Sequence, residues 1–87
     1  MRHGILICDC IQDYWIIRIG KLVFPLEDGS PFDLWIQDHY YPVTLLRDTD
    51  WFVSFELEEL SFSLREDEVY KIRINMEDYL PYVAPCQ

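Results

Sequence analysis

Apolar and polar residues alternate along most of the chain in short runs rich in Ile, Val, Phe, Tyr and Trp. A period of two puts one side-chain row on each face of an extended strand, so the pattern predicts strands rather than helices. Turn-forming clusters cut the runs at Asp9 to Gln12, Gly20-Lys21, Glu27 to Pro31, Asp38-His39, Asp48 to Asp50, Glu58 to Leu60 and Glu66 to Glu68. This punctuation is that of an antiparallel meander, in which each strand pairs with the next.

A hairpin register must place apolar residues on one face of both strands, so each candidate turn can be tested. A two-residue turn at Gly20-Lys21, glycine first as a type II′ turn requires, pairs Ile19 with Leu22, Ile17 with Phe24 and Trp15 with Leu26. A turn at Asp38-His39 pairs Ile36 with Tyr41, Leu34 with Val43 and Phe32 with Leu45. A loop at Asp48-Thr49-Asp50 sets Val53 against Leu45 and Phe55 against Val43, and another at Glu66-Asp67-Glu68 sets Leu64 against Tyr70 and Phe62 against Ile72. One inward row then runs from Trp15, Ile17, Leu22 and Phe24 through Leu34, Ile36, Val43, Val53 and Phe55 to Phe62, Leu64, Ile72 and Ile74. A sheet buries such a row by curling over its own core. The expected fold is all-β, a small, strongly bent antiparallel meander barrel of the SH3-like size class over residues 1–75. A short non-strand C-terminal tail, residues 76–87, follows; Pro81 and Pro85 stop any helix begun at Met76, and Tyr79, Leu80, Tyr82 and Val83 favour docking on the domain.

The same registers turn Trp35, Tyr40, Leu46 and Phe52 outward, with Pro42 opposite Trp35 and Leu46 opposite Phe52. These residues are expected to form one contiguous apolar patch rimmed by Asp33, Asp38, Asp48, Asp50 and Glu56. Aromatic anchors inside a polar rim describe a protein interaction site, unless the tail or a fold-over of the sheet covers them. Other outward positions, Lys71 and Arg73 among them, read as ordinary solvated strand residues.

Composition narrows the function. Eighty-seven residues, 51% of them hydrophobic, supply one core and not two. Sixteen acidic residues against seven basic ones give a net charge of −9, which repels nucleic acid and anionic membrane surfaces alike. The short apolar run after Arg2 is interrupted by Asp9, unlike a secretory signal, and no run approaches the roughly 20 residues of a membrane span. Three cysteines, Cys8, Cys10 and Cys86, give no disulfide framework and fit a reducing cytoplasm.

Catalytic chemistry finds little support. His3, Cys8, Cys10 and Cys86 match four zinc ligands by number, but ligands two apart fit no common closed site, and half-buried thiols are the expected state. His39 reads as a solvated turn residue, and Ser54, Ser61 and Ser63 lie in strands rather than at a strand-to-helix elbow. Isolated glycines exclude phosphate loops and dinucleotide fingerprints. Glu58-Glu59 and Glu66-Asp67-Glu68 lack the alternating oxygen pattern of a calcium loop and read as solvated turns that also protect strand edges. No catalytic residue, metal or cofactor is assigned.

The runs Pro31-Phe32-Asp33-Leu34-Trp35-Ile36, Tyr41-Pro42-Val43, Asp50-Trp51-Phe52-Val53, Leu60-Ser61-Phe62-Ser63-Leu64-Arg65 and Tyr70-Lys71-Ile72-Arg73-Ile74 together resemble a domain-of-unknown-function family of small β proteins. That family belongs to Gram-positive bacteria and their mobile elements. The resemblance covers residues 4 to 75 and implies a bacterial cytoplasmic setting and an accessory role on a plasmid, prophage or conjugative element, with no catalytic residues to transfer. Two classes of function follow. The first is a non-enzymatic protein-binding module that uses the outward aromatic patch. The second is an acidic mimic of nucleic acid that blocks a defence nuclease, as an anti-CRISPR protein does, or a DNA-binding protein. Carboxylates spread over most of the turns, rather than spaced along one face, rank the mimic second.

Overall fold

A computed structural model of the chain describes residues 1–9, 11–75 and 77. Eight strands form where the alternation predicts them: β1 (Arg2–Asp9), β2 (Tyr14–Ile19), β3 (Leu22–Pro25), β4 (Pro31–Ile36), β5 (His39–Arg47), β6 (Trp51–Phe55), β7 (Ser61–Ser63) and β8 (Tyr70–Ile74). They make one antiparallel sheet in the order β3-β2-β1-β8-β4-β5-β6-β7. There is no α-helix among the described residues, and no helix long and apolar enough to cross a membrane. The expected tail lies, apart from Glu77, outside the described residues.

Two local hairpins carry the expected registers. In β2 and β3, Ile19 pairs with Leu22 and Ile17 with Phe24, and the Leu26 amide donates to the Trp15 carbonyl at 2.8 Å. Gly20 takes φ 58° while Lys21 stays out of the left-handed region, the combination a type II′ turn needs. In β5 and β6, Val43 pairs with Phe55, Leu45 with Val53 and Leu46 with Phe52.

The β4–β5 register differs. The turn is Gln37-Asp38, both at positive φ (46° and 73°), so Trp35 faces Tyr40, Leu34 faces Tyr41, and Asp33 rather than Trp35 faces Pro42. His39 opens β5 instead of sitting in the turn. Moving the turn by one residue slides the register by two, which keeps every side chain on its expected face.

The last strand overturns the meander. β7 pairs with β6, whereas β8 lies between β1 and β4, with Gly4 and Leu34 flanking Ile72. The physical reason is edge satisfaction. Inserting β8 there supplies hydrogen-bond partners to two open edges at once, and it brings Arg73 opposite Asp33. β3 and β7 remain as edges that do not pair with each other, so the expected meander barrel is here an open, bent sheet.

The sheet still bends sharply. β7 lies four strand spacings from β8, roughly 19 Å along a flat sheet, yet the rings of Phe62 and Tyr70 are 6.2 Å apart. Tyr70 also meets Trp15 at 6.1 Å, and Arg47 at the end of β5 pairs with Asp13 in the β1–β2 turn. Inside the bend Leu6, Trp15, Ile17, Leu34, Val43, Leu45, Val53 and Ile72 are fully buried. Of the expected inward row, Leu22, Ile36, Phe55 and Leu64 pack at the margin, and Phe62 is 39% exposed because its strand is the edge. β1 crosses β2 closely at Gly4, where an added Cβ would lie 2.5 Å from the Arg18 carbonyl oxygen and 2.6 Å from Ile19 Cγ1.

Candidate functional site

The outer face of the sheet carries a cluster assembled from four strands. Trp35 and Tyr40 are direct partners across β4 and β5, just below the Gln37-Asp38 turn, and their rings meet edge to face at 4.8 Å. β8 brings Arg73 over the Tyr40 ring, with Cζ 4.4 Å from its centroid. The Arg73 Nε–H donates to Asp33 Oδ2 at 2.7 Å, so one guanidinium satisfies a carboxylate and an aromatic face together. β1 adds His3, whose Nδ1 shares a 2.9 Å hydrogen bond with the Tyr40 hydroxyl. Tyr40 is thus held at its edge, its face and its hydroxyl.

Leu46 and Phe52 form the second pair expected on this face, across β5 and β6. They do not adjoin the first. Tyr40 and Leu46 are six residues apart on one extended strand, roughly 20 Å, and Thr44 between them donates its hydroxyl to Glu56 Oε1 at 3.2 Å. The contiguous patch expected from sequence is therefore two clusters, because the two-residue register slide moved Trp35 toward the turn and away from Pro42.

The acidic rim is divided as well. Asp33 belongs to the first cluster, with its side chain 17% exposed and ion-paired. Asp38 caps that end in the turn, Glu56 lies midway, and Asp48 and Asp50 border a shallow depression of about 270 Å³ beside Phe52, Ser61 and Ser63. His3 and Arg73 are the members that sequence reasoning missed. No local signal marks them, since both enter through the non-local pairings of β8 with β1 and β4.

The residues that match zinc ligands by number alone are placed apart where they are described. His3 faces outward with Tyr40 while Cys8 packs half-buried against the core on the opposite face, and Cys10 and Cys86 lie outside the described residues. Among the described residues no group of three or more His, Cys, Asp or Glu is placed to hold a metal. No protein-family model, no curated protein and no solved structure matches the chain.

Proposed function

We propose that the protein is a non-enzymatic protein-binding module whose anchor is the Trp35–Tyr40 pair. The observation that carries this reading is the triple restraint on Tyr40 by Trp35, Arg73 and His3. Aromatic side chains fixed before binding lose little conformational freedom on association, which is the physical basis of a rigid hot spot. The family resemblance supports a bacterial cytoplasmic setting and an accessory role on a mobile element.

Capture from bacterial cytosol by the immobilised protein, at low and at high salt, tests the reading. An aromatic-anchored complex persists at high salt, and Trp35→Ala weakens it by at least about 2 kcal/mol. The acidic-mimic reading is favoured by the net charge of −9 alone. It takes first place if Trp35→Ala folds and captures every partner unchanged while charge reversal at Asp48, Asp50 and Glu56 abolishes capture.

A further inference from the structure

The two edges of the sheet are not equally protected. β3 carries Pro25, which donates no hydrogen bond, and its turn carries Lys21; both are ordinary ways of blunting an edge. β7 is Ser61-Phe62-Ser63, with neither a charge nor a proline, and all three residues are exposed. Leu60 accepts a hydrogen bond from Phe55 and Leu64 donates one to Trp51, so residues 60, 62 and 64 face β6. Antiparallel alternation then turns the N–H and C=O of Ser61 and Ser63 to the open side, where no strand pairs among the described residues.

Two further features surround that edge. Of the seven exposed large apolar residues among the described residues, four are Leu57, Leu60, Phe62 and Val69, in β7 and the loops on either side of it. The same loops carry Glu56, Glu58, Glu59, Glu66, Asp67 and Glu68, and the Arg65 among them is engaged by Asp67 at 3.5 Å. Like charges oppose a second copy of this chain docking edge to edge. Opposite charges favour a basic strand.

We propose that the free edge of β7 docks an extended segment of a partner protein, bearing Lys or Arg at alternate positions and apolar residues between them. Main-chain hydrogen bonds to Ser61 and Ser63 supply the pairing, Phe62 and Leu60 meet the apolar side chains, and the flanking carboxylates select the charge. This surface is independent of the Trp35–Tyr40 anchor.

The test is titration of the whole protein with a synthetic seven-residue peptide alternating Lys and Val, its ends blocked, followed by amide hydrogen exchange. Slowing of exchange at Ser61 and Ser63 by about tenfold at saturation is expected, because both amides become ladder donors. A peptide with proline at its centre, or with Glu for Lys, is expected not to bind. Ser63→Pro removes one outward donor and leaves the β6 ladder, and it should weaken binding about tenfold. Should that variant fail to fold, neutralising Glu58, Glu59 and Glu66 to Gln is expected to produce a comparable loss. Unchanged exchange at Ser61 and Ser63 under saturating peptide overturns the proposal. So does equal binding of the proline-containing peptide, which marks charge attraction without strand pairing, and so does concentration-dependent self-association through β7.

Discussion

The two ends of the outer face of β5 share a parity and differ in chemistry. At the turn end, Tyr40 is gripped by Trp35, Arg73 and His3, drawn from β4, β8 and β1. At the loop end, Leu46 and Phe52 face each other across neighbouring strands, and the loop residues Asp48 and Asp50 hydrogen-bond to one another. Outward parity alone exposes an aromatic. Rigidity comes from side chains that distant strands bring alongside.

Substitutions separate the two ends, and the largest effect is expected where β1 is positioned. Gly4→Ala drives a Cβ into the Arg18 carbonyl and Ile19, so β1 must shift, His3 with it; a loss of about 3 kcal/mol in urea unfolding is expected. A variant as stable as wild type means β1 yields freely and the grip on Tyr40 is loose.

Next is Asp33→Ala, which leaves the Arg73 guanidinium without its carboxylate and frees it from its station over Tyr40. About 2 kcal/mol is expected, the scale of a hydrogen bond between charged groups. Phe52→Ala, at the loop end, is expected to cost about 1 kcal/mol, since only a half-buried ring is lost. A thermal melt of the pair decides the comparison, which collapses if Phe52→Ala proves the more damaging. Tyr40→Phe removes only the hydroxyl shared with His3 and should fall near 0.5 kcal/mol. Neutralising Asp48 and Asp50 to Asn should move stability by less than about 0.5 kcal/mol, as exposed loop substitutions do.

Local pairings were legible in the sequence where turn chemistry was unambiguous. Gly20 marked one turn, and the inward rows of β5 and β6 admitted one register. Between Ile36 and Tyr40 neither Gln-Asp nor Asp-His contains the glycine or asparagine that a type I′ turn prefers, so two positions competed and the wrong one satisfied the apolar pattern equally well. The neighbours of β8 were not legible at all. Hairpin arithmetic compares strands adjacent in the chain, and nothing in Tyr70-Lys71-Ile72-Arg73-Ile74 announces partners nearly forty residues back in β4 and further still in β1. Three of the five members of the candidate cluster followed from parity, namely Asp33, Trp35 and Tyr40. The other two, His3 and Arg73, depended on that distant pairing.

The central seat of β8 also sets the order in which the molecule can be finished. Strands β1 to β3 pair with their chain neighbours on one side of β8, and β4 to β7 do the same on the other. Until residues 70–74 enter between them, β1 and β4 each present a bare edge, and Ile72 and Ile74 are missing from the core. Closing the seam requires chain ends far apart in sequence to meet, which costs loop entropy before any burial offsets it. The molecule is therefore expected to fold on the millisecond-to-second scale of non-local sheets, with substitutions at Ile72 slowing folding more than they speed unfolding. Stopped-flow kinetics in which Ile72→Val changes only the unfolding rate would show the seam closing after the barrier.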